Sequence, residues 1–197
     1  MEFTQRQNAI IVGAILGDST IENAWKNPRL RCAHSIRQKE YLFWKHTEFQ
    51  TISNKPVLIR QKHFKNGKIY ESWQFNTYAL GEFHKYWKSF YVNGKKIIPE
   101  SIDKLLTDPL SLAVWFMDDG HKRTDCNALR LSTDSFSFSE QGLLANVLEK
   151  NFGIASTLHK KGKYWNIYIP KLSAIKFVQI IQPYILPSLE YKITLAP

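Results

Sequence analysis

The sequence predicts an α+β fold built twice over from one order of elements: helix, strand, helix, hairpin, helix. Three observations carry that expectation. Two apolar runs, Ile11-Val-Gly-Ala-Ile-Leu-Gly-Asp-Ser19 and Leu112-Ala-Val-Trp-Phe-Met-Asp-Asp-Gly120, each place an aspartate at the eighth residue, and these two acids, Asp18 and Asp119, stand about half the chain apart. Each run is followed by a strand-like alternation, a helical stretch and a pair of alternating segments around a Gly-containing turn. Hydrophobic residues make up 44% and charged residues 22% of the 197 residues, a balance that supports a core without disulfides.

In the first half, residues 4–17 read as a helix with Thr4 as its cap and Ile10, Ile11, Ala14 and Ile15 as its apolar stripe. Gly13 and Gly17 lie four apart on one face. Each costs roughly 1 kcal/mol against alanine inside a helix, so the pair asks for a second backbone packed close by. Arg29, Arg31 and Ala33 alternate with Leu30, Cys32 and His34, as in a strand with one wet face. Residues 38–53 read as a helix with Tyr41, Leu42, Trp44, Lys45, Phe49 and Ile52 on or beside its buried side. Segments 57–63 and 68–77 form a hairpin around Lys65-Asn66-Gly67, with Ile69, Trp73 and Phe75 facing one way and Tyr70, Ser72, Gln74 and Asn76 the other. An aromatic-rich helix over 79–91 closes this half, and Asn93-Gly-Lys-Lys96 with Pro99 is the linker.

The second half repeats the order. A helix over 110–117 is introduced by Asp108-Pro109. A strand over 127–133 has Leu129 and Leu131 on one face and Arg130 and Ser132 on the other. A helix over 139–152 takes Ser139 as cap and Gly153 as stop. A second hairpin, 154–159 with 164–169, turns at Lys160-Lys161-Gly162-Lys163, and Trp165, Ile167 and Ile169 alternate with Tyr164, Asn166 and Tyr168. A last helix spans 172–181. The expected halves are 1–100 and 101–197, related by a pseudo-twofold axis between the two key helices.

Composition limits the partners. Lys plus Arg number 27 against 17 Asp plus Glu, a net charge of +10 that favours a polyanion, either nucleic acid or an anionic membrane surface. No apolar run reaches the ~20 residues of a membrane span. The best stretch, 9–17, is closed by Asp18 and has only Arg6 ahead of it, which argues against a signal peptide. Cys32 and Cys126 have no CxxC partner and read as small core or half-buried residues of a reduced, intracellular chain. Dinucleotide, P-loop, HExxH and nucleophile-elbow motifs are missing.

The two acids are the candidate centre. A carboxylate at a helix C-terminus meets the negative end of the macrodipole, so something positive must offset it. If Asp18 and Asp119 close two parallel neighbouring helices, two like charges meet and a hard divalent cation such as magnesium is the economical solution. The bland alternative is two ordinary terminal acids. Around them, Arg29, Arg31, Arg60, Lys62, Tyr70, Gln74, Asn76, Arg130, Asn166 and Tyr168 are expected on wet strand faces, suited to reading base edges in a major groove. Lysines near turns, Lys65, Lys68, Lys160, Lys161 and Lys163, are expected to meet phosphates.

The run Leu110-Ser-Leu-Ala-Val-Trp-Phe-Met-Asp-Asp-Gly120, with Leu129-Arg-Leu-Ser-Thr-Asp-Ser-Phe-Ser-Phe138, Asn93-Gly-Lys-Lys-Ile-Ile-Pro99 and Pro183-Tyr-Ile-Leu-Pro-Ser-Leu-Glu-Tyr-Lys192, resembles the double-motif, single-chain LAGLIDADG homing endonucleases over nearly the whole chain. The first motif departs at Ser19, where the family has glycine. The resemblance implies two αββαββα halves whose antiparallel sheets form a DNA-binding saddle, with the motif helices at the interface. It implies that Asp18 and Asp119 hold Mg2+, or Mn2+ in its place, and that both strands of a long double-stranded DNA target are cut to leave short 3′ overhangs. It further implies that Lys96 and Lys192 are the basic residues near the scissile phosphates, with Asp118 supporting its neighbour. The protein would act as a monomer, encoded in an intron and working in a mitochondrion, chloroplast or bacterial cytoplasm. Two alternatives share the scaffold, an intron RNA maturase and a DNA-binding protein that does not cut; a membrane-surface protein is more remote.

Overall fold

The computed structural model describes residues 2–23, 26–62 and 67–195. Helix α1 (Gln5–Leu16) starts at a capping box, in which the Thr4 side chain accepts from the Gln7 N–H and the Gln7 side chain accepts from the Thr4 N–H. From Ala9 onward every residue of α1 is buried, so the helix runs through the core.

Its neighbour in space is α5 (Pro109–Asp119), capped by Asp108 with proline in its first turn and buried from Leu110 to Asp118. The two lie parallel. A Cβ on Gly13 would stand 2.3 Å from the Ser111 carbonyl oxygen, and one on Gly17 would stand 2.4 Å from the Asp118 Cβ. The glycine pair is therefore what lets the backbones approach, and among the described residues no other two helices share so extensive an interface.

Each key helix feeds a four-stranded antiparallel sheet. In the first, β1 (Thr20–Glu22), β2 (Arg29–Ser35), β4 (Ile69–Asn76) and β3 (Val57–Lys62) lie in the order β1-β2-β4-β3. In the second, β7 (Gly120–Lys122), β8 (Leu129–Leu131), β10 (Tyr164–Ile169) and β9 (Thr157–Lys161) lie in the order β7-β8-β10-β9. The orders match strand for strand, as the duplicated pattern requires. On β2, Leu30, Cys32 and His34 are buried while Arg31 and Ser35 are exposed, as the alternation predicts.

Helices α2 (Lys39–Phe49) and α6 (Phe138–Phe152) cover the inner faces of the two sheets, and α3 (His84–Phe90) and α7 (Lys171–Ile181) close the halves. A single hydrophobic core runs through both. The linker is itself ordered: β5 (Tyr91–Val92) pairs with β6 (Lys95–Lys96) across Asn93 and Gly94, whose φ of 50° and 75° suit a two-residue hairpin turn. A short α4 (Ile102–Leu105) leads into α5. No helix of the described residues is long and apolar enough to cross a membrane.

Several local expectations need correction. Ser137, not Ser139, caps α6, because Glu140 lies at the third helical position and completes a capping box with it. The helix expected over 79–91 is shorter, with a 3-10 turn at Gly81–Phe83 before α3, and β8 is three residues where seven were expected. Cys126 is exposed on the loop between β7 and β8, whereas Cys32 is buried as expected. Lys65 and Asn66 of the first hairpin turn lie outside the described residues.

Candidate active site

The chain leaves α1 and α5 at two adjacent C-terminal ends, where carbonyl groups lack helical partners. Two lysines fill them. Lys96 Nζ, from β6, donates to the carbonyls of Ile15, Gly17 and Ser19 at 2.8, 3.1 and 2.8 Å. Lys192 Nζ, at the end of the 3-10 segment Pro187–Lys192, donates to Met117 at 2.6 Å and to Asp118 at 3.3 Å. These are the positive charges that the helix ends demand. Burial holds both ammonium groups below the usual lysine range, against the pull of Asp18, Asp118 and Asp119.

Asp18 follows the end of α1, and Asp119 is the last residue of α5. Burial, followed by the negative charge of Asp118, raises the Asp18 carboxyl. The Asp119 carboxyl is pushed up to about 7 by burial and then by Asp18 and Asp118. The two acids thus bear on one another across the helix interface, and the pull of Lys96 and Lys192 does not overcome the effect of burial and like charge.

Asp118 differs from both. Its side chain is 0% exposed and is held by Lys45, whose Nζ lies 2.8 Å from Oδ1 and 3.1 Å from Oδ2. The Asp18 N–H donates to Asp118 Oδ2 at 3.2 Å. Lys45 Nζ also lies 3.1 Å from His34 Nε2, and burial and then Lys45 lower the His34 pKa to about 3. Asp18, His34 and Asp118 together bring three ligand atoms within 4.8 Å of one another. A cation among them would face the Lys45 ammonium. The oxygens left for a hard cation are those of Asp18 and Asp119, a donor set that suits magnesium or manganese.

Lys45 and His34 carried a signal in the sequence: each occupies a buried position of its element's apolar pattern, where a charged or titratable side chain needs a partner. The pattern did not name that partner, which lies on another helix 73 residues on from Lys45.

The polar faces of the sheets follow from the strand registers, since directly paired residues share a face. Thr20 pairs with Arg31, Arg31 with Asn76, Ala33 with Gln74 and Gln61 with Tyr70, which places Arg29, Arg31, Tyr70, Gln74 and Asn76 together. Glu22 ties Arg29 and Arg31 at 2.8 and 3.1 Å, and Arg31 also donates to Gln74 at 3.0 Å. In the second sheet Arg130 pairs with His121 and Tyr168, Asn166 with His159 and Lys161 with Tyr164.

Three cations fall on the opposite faces, which corrects the strand-face expectation for Arg60 and Lys62; Lys160 was expected on phosphate and not on a face. Arg60 pairs with Glu71 and bonds it at 2.6 Å, Lys62 pairs with Ile69, and Lys160 pairs with Trp165. Asn166 is on the expected face but only 3% exposed, beside a Tyr168 ring stacked on His159 at 4.2 Å. Gln61, His121 and His159 join the polar faces without having been singled out. Arg130 Nε and Asn166 Oδ1 are buried with no hydrogen-bond partner.

Comparison with known proteins places this geometry in company. The profile of the LAGLIDADG DNA endonuclease family matches residues 8–177. The chain is 34% identical over 192 residues to the cytochrome b mRNA maturase bI2 of Debaryomyces hansenii, covering 93% of this chain and 72% of that protein. It is 30% identical over 194 residues to the probable intron-encoded endonuclease 1 of Wickerhamomyces canadensis, covering 95% and 83%. The structure of the homing endonuclease I-WcaI bound to its DNA recognition sequence superposes with a TM-score of 0.93 at 27% identity, over 100% of this chain and 89% of that one.

Proposed function

The chain belongs to the LAGLIDADG DNA endonuclease family, and from that premise we propose that it is a site-specific homing endonuclease, with residues 1–100 and 101–197 as its halves, that cuts both strands of double-stranded DNA as a monomer. The observation that carries this reading is the pair of acids with raised carboxyls, Asp18 and Asp119, at the ends of two parallel buried helices whose carbonyls are held by Lys96 and Lys192.

Asp18 and Asp119 would hold divalent cations, magnesium or manganese, which when bound make water nucleophilic near neutral pH and neutralise charge on the leaving oxygen. The rest is done by the chain. All three N–H donors of Lys96 meet carbonyls, so it acts on Asp18 through fixed charge and by holding the helix end. Lys192 has two donors engaged and a third for water or a phosphate oxygen. Asp118, locked to Lys45, supports the main chain at Asp18 rather than binding a cation.

Arg29, Arg31, Tyr70, Gln74 and Asn76 on one sheet and Arg130, Asn166 and Tyr168 on the other would read base edges, with Lys161 on phosphate. Product ends with short 3′ overhangs and an organellar, intron-linked site of action go with the same reading.

A second reading, an intron RNA maturase on the same scaffold, is favoured by the name of the Debaryomyces hansenii relative. Cleaved sites selected from a random DNA library with magnesium present supply the target. Asp18→Asn and Asp119→Asn should then bind it without cutting. Full cutting by both variants would defeat the endonuclease mechanism, and intron RNA retained on filters with accelerated splicing would establish the second activity.

A further inference from the structure

The two halves of the site are not equivalent. Seventeen is glycine where its counterpart in the second helix is Asp118, and the space Gly17 leaves is filled by the Asp118 carboxylate, whose Oδ2 would lie 2.5 Å from a Cβ built there. Asp118 therefore crosses the helix interface and anchors Lys45 of the first half.

An ammonium group donates and never accepts. Lys45 Nζ lies 3.1 Å from His34 Nε2, so that nitrogen presents its lone pair and a neutral ring carries its proton on Nδ1. The His34 side chain is 1% exposed, and Nδ1 has no hydrogen-bond partner. It faces Asp18 Oδ2 at 3.8 Å. Gln38 also bears on the ring without closing a bond to Nδ1. The Asp18 side chain is 46% exposed, and a movement of about 1 Å would bring its oxygen to hydrogen-bond distance.

We propose that His34 is a positioning residue for Asp18 alone, its Nδ1–H aimed at that carboxylate by a one-sided chain from Asp118 through Lys45. The second half has no equivalent. Thr20 pairs with Arg31 and His121 with Arg130, each partner following its acid by two residues; three positions on stand His34 in one half and Thr133 in the other. Thr133 gives its hydroxyl proton to Gln141 at 2.8 Å, within its own half. Asp119 therefore stands without the steering group that Asp18 has.

The tautomer and the contact are read without any cutting. In two-bond proton–nitrogen correlation spectra of the full chain, His34 should show a protonated Nδ1. That signal should move in Asp18→Asn and stay in Asp119→Asn, and Lys45→Met should release the ring to the other tautomer. An Nε2-protonated ring in the unsubstituted protein, or an Nδ1 signal that answers to Gln38→Ala and not to Asp18→Asn, would overturn the proposal.

The consequence for cutting rests on the endonuclease reading and uses target DNA labelled on each strand in turn. His34→Leu should slow one strand about tenfold or more, leave the other within about twofold and accumulate nicked DNA, with unchanged DNA affinity. His34→Asn, which keeps an N–H near the Nδ1 position, should restore the slow strand. Equal slowing of both strands, or an asparagine variant as slow as the leucine one, would refute the steering role. Unsubstituted protein that cuts neither strand would refute the endonuclease reading instead, leaving the spectra to decide the His34 contact.

Discussion

Lys45→Met isolates the charge pair at the centre of the molecule. Lys45 and Asp118 are both 0% exposed in their side chains, and Nζ stands 2.8 Å from Oδ1. Methionine keeps an unbranched stem of similar length for the packing beside Tyr41, so the change removes a charge and its donors with little loss of volume. What remains is a carboxylate in a dry interior without its cation. Removing one partner of a buried pair costs ~3–5 kcal/mol. For a chain of this length each kcal/mol moves the melting temperature by ~2–4 °C, so the midpoint should fall by roughly 10 °C.

The double variant Lys45→Met with Asp118→Asn takes out both charges and keeps an oxygen to accept the Asp18 N–H. It should recover more than half of the loss, giving a coupling of ~2 kcal/mol or more. Urea unfolding followed by circular dichroism measures all four corners of the cycle. A wild-type midpoint in Lys45→Met, or a double variant no more stable than the single, would refute the buried-pair account.

Three further outcomes are expected. Gly13→Ala places a Cβ 2.3 Å from the Ser111 carbonyl oxygen and 2.8 Å from the Val114 Cβ, so α1 and α5 must part; a loss of ~1–3 kcal/mol in urea unfolding should outweigh the better helix propensity of alanine. Arg31→Ala, on the polar face, should weaken target binding about tenfold or more in fluorescence anisotropy, whereas Arg60→Ala, on the opposite face, should stay within about twofold; the reverse order would contradict the strand register. The Asp119 carboxyl, raised from 3.8 to about 7, binds its proton more tightly folded than unfolded, so the stability it contributes is present at low pH and is lost as pH rises from about 4 through 7. In chelator, Asp119→Asn should therefore melt above the unsubstituted protein at pH 8 and near it at pH 4, and an equal difference at both would show that the acid is not perturbed.

The key helices were legible because each apolar run is closed by an acid and the first also carries glycines four apart: α1 and α5 are buried along these runs and meet at Gly13 and Gly17. The face of β2 was legible because burial contrasts sharply along it. The face of β3 was not. Its residues from Arg60 to Lys62 are all exposed, so charge is tolerated on either side and residue type carries no information about direction. Likewise, a lysine on the apolar stripe of α2 calls for a partner that its own helix does not name. Only the fold brings Asp118 to it, because the pairing is non-local and hydrophobic periodicity reports nothing beyond its own helix.

The two hairpins show where parity can be recovered. In the second, the turn is the two residues Gly162 and Lys163, Gly162 having a φ of 61°, and a turn that short forces Lys161 opposite Tyr164 and Lys160 opposite Trp165. Once Tyr164, Asn166 and Tyr168 are given the polar face, Lys161 must join them and Lys160 must not. In the first, Lys62 pairs with Ile69 across a longer connection, which admits either parity. A basic residue near a hairpin tip can therefore be assigned to a nucleic-acid face from sequence only where the turn is short enough to set the register; elsewhere its charge speaks for the net attraction to a polyanion and not for contact with a base.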